Sequence, residues 1–110
     1  MINKVNGLLG LCTKAGKILA GTDSVLEEML NKKVELVIVA EDSSEKTKKN
    51  IKYFCEKNKI EMIIYGSIEN NSKSIGKHNK AIIGIKDKNL AEAIKKVIHG
   101  GEQFGENQNS

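Results

Sequence analysis

Proline and tryptophan are absent from this 110-residue chain, none of its 18 basic residues is arginine, and aromatic residues make up only 4%. Each absence excludes something. Without proline there is no cis-proline turn and no proline-rich recognition strand. With so few aromatics, the core must be built from Ile, Leu, Val, Ala and Met. Without arginine, any phosphate is met by lysine, a point charge lacking the planar bidentate fork of a guanidinium. Cysteine is scarce as well: Cys12 and Cys55 stand far apart, in no C-x-x-C spacing. Both fall on apolar faces of predicted helices, where free cysteine acts as a small hydrophobe, so reduced structural thiols are expected. No apolar run is long enough to cross a bilayer. Met1-Ile2-Asn3-Lys4 opens an amphipathic pattern instead of a charged stretch followed by an apolar block, so no signal peptide is read there. A cytoplasmic protein with no membrane partner is expected.

What is present is ordinary for a globular domain: 39% hydrophobic and 29% charged residues. A chain of this length forms one domain and buries roughly two-thirds of its unfolded surface, enough for a core without staples. Its net charge of +4 and pI near 9.0 are a mild basic excess, compatible with a polyanionic partner.

Apolar periodicity sets out the elements. Ile2, Val5, Leu8, Leu9 and Cys12 recur at helical spacing over about residues 2 to 13, and Gly16 ends the segment. Lys17 to Ala20 is long enough only for a short edge strand. Gly21-Thr22-Asp23-Ser24 signals a helix start. Thr22, Asp23 or Ser24 each suit the cap, and Ser24 with Glu27 has capping-box spacing. Val25, Leu26, Met29 and Leu30 form the stripe of that second helix, which ends near Lys32. Leu36 to Ala40 is an uninterrupted apolar run, the pattern of a strand covered on both faces. Glu41 to Ser44 is a polar cap before a third helix, with Ile51, Phe54 and Cys55 inward and a lysine-rich outer face.

A third strand over Ile60 to Tyr65, a short helix over Ser67 to Ser74 and a fourth strand over Ala81 to Ile85 follow. The final helix carries Leu90, Ala91, Ile94, Val97 and Ile98 and stops at Gly100-Gly101. The polar residues Glu102 to Ser110 are expected to be a disordered tail. Alternating helices and strands, with a helix between two apolar runs, imply a βαβ crossover. The expected fold is α/β, a three-layer α/β/α sandwich around a small four-stranded mixed sheet. One domain spans residues 1 to 100.

Catalytic and metal chemistry find little support. Lys14-Ala15-Gly16-Lys17 imitates the end of a phosphate-binding loop. However, its spacing from Gly10 is one residue too long, Ile18 stands where Ser or Thr should be, and a helix precedes it instead of a strand. His78 and His99 have no metal-ligand spacing to cysteine or carboxylate, and His99 is read as a helix C-terminal residue. Glu41 and Asp42 lack a neighbouring histidine or nucleophile and read as a polar turn. No catalysis, cofactor or metal is expected.

Three features remain. Lys14, Gly16 and Lys17 put cations beside a tight turn. Gly21, Thr22, Asp23 and Ser24 open a helix whose exposed amides suit phosphate oxygens or nucleobase carbonyls. Lys73 and Ser74-Ile75-Gly76-Lys77 make a basic glycine turn, with Ile75 expected to be exposed and to support an unstacked base. The stretch from Lys14 to Ser24 is therefore expected to be the RNA-facing edge.

The order L-x-x-K-A-G-K-x-x-x-G over Leu11 to Gly21, a strand ending A-E-D over Leu36 to Asp42, and I-G-K before an apolar strand over Ile75 to Ile85 resembles the ribosomal-protein superfamily of the seven-Ae and thirty-e types. Within it, the chain is most similar to short bacterial members, often encoded beside translation-factor genes. The resemblance covers about residues 3 to 98. It implies a non-catalytic α/β/α domain that binds kinked RNA in ribosomal or regulatory RNAs, with the ribosome itself as a possible partner.

Members that read kink-turns begin the second helix G-x-N-E-x-x-K and contact the guanines of sheared G·A pairs. Here Gly21 matches, while Asp23, Ser24 and Glu27 stand for Asn, Glu and Lys. Ionised Asp accepts hydrogen bonds but cannot donate to a guanine O6. Glu27 replaces an attractive charge with a repulsive one. A well-placed hydrogen bond to a base edge is worth about one to three kcal/mol, so each of these departures weakens kink-turn reading on that scale. Members also carry L-G-x-A-x-G before the last strand, and of that pattern only Gly76 is kept. The expected function is structured-RNA binding; the alternative is a protein-interaction module that keeps the fold with a degenerate RNA edge.

Overall fold

The chain enters helix α1 (Lys4–Lys14) through Asn3, whose side-chain oxygen accepts from the amides of Val5 and Asn6. In the computed structural model residues 3–107 are described, their side chains as far as residue 100. Helix α1 ends at Gly16, which takes φ +70°, a left-handed conformation that costs glycine nothing. The Lys17 amide then donates to the Cys12 carbonyl at 2.8 Å, closing the helix end and launching strand β1 (Ile18–Ala20). Helix α2 (Thr22–Leu30) and strand β2 (Leu36–Val39) follow, then α3 (Glu45–Lys57), β3 (Glu61–Ile64), α4 (Ile68–Ser74), β4 (Ile82–Ile85) and α5 (Lys88–Asn107).

The four strands lie in the order β1-β4-β2-β3. β1 pairs antiparallel with β4, and β4 antiparallel with β2. β2 pairs parallel with β3 from Leu36↔Glu61 to Val39↔Ile64, joined through α3. Every residue of the central strands β2 and β4 is buried, as uninterrupted apolar runs covered on both faces require. The β3 edge is open at Ile64.

Period-two alternation sends the apolar residues of this sheet into two separate cores. On one face Leu36, Ile38, Ile83 and Ile85 meet Val5, Leu9 and Cys12 of α1, Ile75 beside α4, and Ala91 and Ile94 of α5. On the other, Val37, Val39 and Ile82 meet Val25 and Met29 of α2 and Ile51 and Cys55 of α3. Gly84 lets α2 close down, since a Cβ there would lie 3.2 Å from Val25 Cγ2. The architecture is therefore a three-layer α/β/α sandwich around a four-stranded mixed sheet.

Cys12 and Cys55 are both buried free thiols, one in each core. Burial pushes each thiol up to about 11. Among the described residues no helix is long and apolar enough to cross a membrane.

Three expectations need correction. Helix α5 does not stop at Gly100-Gly101 but continues to Asn107; residues 108–110 lie outside those described. His99 accordingly lies within α5, not at its end, with Nε2 3.3 Å from Glu61 Oε2 of β3. Lys95 also reaches Glu61, at 3.4 Å, and pairs with Glu92 at 2.8 Å. Helix α2 is not capped by Thr22, Asp23 or Ser24: Gly21 is its N-cap and makes no side-chain capping bond.

Candidate nucleic-acid interface

Because β1, β2 and β3 run in one direction and β4 in the other, the ends of β1–β3 and the start of β4 meet at one end of the sheet. Helices α2, α3 and α4 each follow one of those three strands, so all three begin there. Backbone bonds tie the junctions together. The Gly21 amide donates to Ile82 O at 2.8 Å, Ala40 to Ala81 O at 3.0 Å, and Glu41 to Gly66 O at 2.7 Å. Ser44 and Ser67 cap α3 and α4 through their hydroxyls, whereas α2 starts without a side-chain capping bond.

Gly21 takes φ +98°, a region that side chains other than hydrogen rarely enter. The Lys80 side chain lies over Gly21, its Nζ 3.7 Å from where a Cβ would stand, an ordinary van der Waals distance, so the backbone conformation and not crowding calls for glycine here. Gly21, Thr22, Asp23 and Ser24 line a hollow of about 320 Å³ together with Lys80. Asp23 and Ser24 are exposed, and so is Glu27 one turn later.

The turn from α4 to β4 forms a wider cleft of about 580 Å³, in which Lys73, Lys77, His78 and Asn79 share the lining with Asp42, Ile68 and Glu69. Gly76 at φ +70° and Asn79 at φ +55° give the turn its shape, asparagine being among the few residues that adopt left-handed backbone readily. Asp42 accepts from the Ile68 amide at 2.9 Å, anchoring the start of α4. Two buried polar residues hold the two ends of α4, Asn71 toward β3 and Ser72 toward β4. Asn71 donates to Tyr65 O at 2.8 Å and packs so closely on Gly66 that a Cβ there would collide with it. Ser72 Oγ accepts from the Lys80 amide at 2.7 Å and donates to the Lys80 carbonyl at 3.2 Å.

The structure therefore brings Gly21, Thr22, Asp23, Ser24, Lys73, Gly76 and Lys77 to one end of the sheet. It does not bring Lys14, Gly16 and Lys17 there. The Lys17 carbonyl accepts from the Lys86 amide just past the far end of β4. At about 3.3 Å per residue, the strand separates Lys17 from Gly21 by about 13 Å. Lys14 to Ser24 is not one continuous edge: the turn and the helix start flank opposite ends of β1.

Ile75 is also misplaced by the sequence pattern. It is 2% exposed and belongs to the core beneath α1 and α5, so it presents nothing to a nucleotide. Its neighbours in sequence are polar because α4 is short and exposed, which disguised one inward residue as an exposed one. The residues missed were Lys80, His78 and Asn79. The signal available was a cation immediately before the apolar run of β4; its position against Gly21 depends on a contact across the sheet.

Residues 3–95 match the model of the ribosomal protein L7Ae/L30e/S12e/Gadd45 family. An RNA-binding protein YlxQ from Enterococcus faecium is 33% identical over 97 residues, covering 88% of this chain and 93% of the relative. The RNA-binding protein YlxQ of Bacillus subtilis (strain 168) is 31% identical over 94 residues, covering 83% and 91%. Among solved structures, a protein of unknown function from Bacillus halodurans C superposes with a TM-score of 0.84 at 31% identity, covering 87% of this chain and 97% of that one. A Giardia lamblia 15.5kD RNA binding protein shares the fold, with a TM-score of 0.71 at 16% identity over 94% and 92% of the two chains. With a family match over nearly the whole domain and relatives aligned along most of their length, this chain belongs to the ribosomal protein L7Ae/L30e/S12e/Gadd45 family.

Proposed function

We propose that this chain is a non-catalytic, cytoplasmic RNA-binding protein that holds structured RNA, such as a kinked segment of ribosomal or regulatory RNA, against the end of the sheet where α2 begins. The observation that carries this reading is the convergence there of Lys73, Lys77 and Lys80 with the open start of α2 at Gly21. The names of the two YlxQ relatives, which align over about nine-tenths of their own length, support the RNA class.

In this reading Lys73 and Lys77 neutralise phosphates, and Gly76 lets a backbone approach without a side chain in the way. Thr22, Asp23 and Ser24 meet base edges, Asp23 accepting from a guanine N1–H or N2–H₂. Lys14 and Lys17, with Gly16 opening the turn between them, are reached only by an RNA stem that continues along the half-buried β1 edge. Ile75 acts from the core, fixing the turn. The ribosome is the partner this reading favours.

A specific observation favours the second reading, a protein-interaction module: Asp23, Asp42 and Glu69 interleave with the lysines on the same surface. Titration with a kink-turn RNA and with a variant lacking its sheared pairs separates the two. The expected outcome is tighter binding to the kinked RNA, with a log–log salt slope of about −2 to −3 from three lysines that each neutralise a phosphate. Neutralising Lys73 and Lys77 is expected to weaken binding more than neutralising Lys14 and Lys17. Equal binding to both RNAs removes kink-turn selectivity, a flat salt response removes the lysine roles, and no binding to RNA or ribosomes supports the interaction module.

A further inference from the structure

We infer that Ser72 is a positioning residue that locks Lys80 against the start of α2 and so joins the two halves of the interface into one surface. Ser72 is 2% exposed, yet every polar group it directs at the turn is used. Its carbonyl accepts from the Lys77 amide at 2.8 Å. Its hydroxyl accepts from the Lys80 amide at 2.7 Å and donates to the Lys80 carbonyl at 3.2 Å. One buried residue thus ties down both flanks of the exposed pair His78-Asn79, the second of which holds a left-handed φ of +55°.

Downstream of Lys80 the chain is fixed at once, because the Ala40 amide donates to Ala81 O at 3.0 Å. Held at both its amide and its carbonyl, Lys80 has little backbone freedom, and its side chain lies over Gly21, with Nζ 3.7 Å and Cδ 3.9 Å from where a Cβ would stand. The half-buried stem of Lys80 therefore spans from the α4–β4 turn to the β1–α2 junction, with its ammonium in the hollow shared with Asp23.

A residue without a hydroxyl at position 72 could make neither bond to Lys80. A serine hydroxyl suits the task because it donates and accepts together, and the Lys80 peptide groups offer one of each. Losing it would leave two half-buried backbone groups of Lys80 without these partners. Lys80 then supplies a cation to RNA at the point where Asp23 and Glu27 work against it.

This inference rests on the proposed RNA binding, and its test keeps the two apart. The full chain, Ser72→Ala, Lys80→Ala and the double variant are titrated with one kink-turn RNA across a salt series. Each single substitution is expected to weaken binding about tenfold. Lys80→Ala should flatten the log–log salt slope by about one, and Ser72→Ala should reduce the slope in the same direction. In the Lys80→Ala background, Ser72→Ala should cost less than about twofold, because its effect passes through Lys80. A merely structural serine would weaken binding equally in both backgrounds, and that result, or undiminished binding by Ser72→Ala, overturns the inference while leaving RNA binding intact. Failure of the unsubstituted chain to bind RNA overturns the function itself, and the inference with it. Should Ser72→Ala not fold, amide exchange in the unsubstituted chain decides. The Lys80 amide should exchange at least about tenfold more slowly than those of His78 and Asn79, and equal exchange overturns the lock.

Discussion

Ile75 and Lys80 exchange the roles that their chemistry suggests. The isoleucine on a polar turn is core, and the lysine beside a buried strand is the residue laid across the junction. Truncating Ile75 therefore belongs to stability. Ile75→Ala should lower the unfolding free energy by about 2–5 kcal/mol, the cost of removing a buried side chain and leaving a cavity. Denaturant unfolding checks the loss. RNA affinity measured at a temperature where the variant remains folded should change far less than in Lys80→Ala. A proportionate loss of affinity with unchanged stability would return Ile75 to the surface role that its sequence neighbours suggest.

At the scale of elements, the second helix joins a conformationally demanding start to a partly acidic exposed face. Gly21 keeps the left-handed φ of +98° at the helix start, while Asp23, Ser24 and Glu27 occupy its exposed positions. Asp23→Asn combined with Glu27→Lys should strengthen binding to a kink-turn RNA by about one to three kcal/mol for each base edge that is read again. The gain should vanish on an RNA lacking sheared pairs; isothermal titration with both RNAs measures it. An equal gain on both would show that only charge had been restored.

The elements themselves were largely legible. Leu36 to Ala40 announced a doubly covered strand because both faces had to be apolar, and Ser44 closed the polar stretch that announced the helix it caps. Two kinds of feature were not. Gly100 and Gly101 read as a stop, yet glycine costs a helix only about 1 kcal/mol, a penalty that neighbouring residues can outweigh, and α5 runs on to Asn107. The bond from Ser72 to Lys80 joins residues eight apart around a turn. No periodicity encodes such a contact, because it depends on how Gly76 and Asn79 bend the chain.

Over the whole molecule, the strand order divides the proposed interface. Lys14 and Lys17 lie at one end of β1 and Gly21 at the other, so closeness in sequence did not mean a shared surface. The same sheet also divides the interior, leaving one thiol in each core. Both thiols rise to about 11 through burial, with Asp87 adding to the effect at Cys12 and Glu56 at Cys55. The native state therefore holds its protons more tightly than the unfolded chain. Stability should be fully retained below pH about 9 and should fall as pH climbs through about 11, as thermal unfolding across that range would show. The two separated cysteines are also a built-in stopwatch. Each can be labelled only when its own side of the sheet opens, so mass-resolved alkylation near neutral pH times the two openings separately. Because β2 and β4 are shared by both cores, the two rates should coincide. A persistent difference between them would mean that one helical layer can lift while the other stays shut.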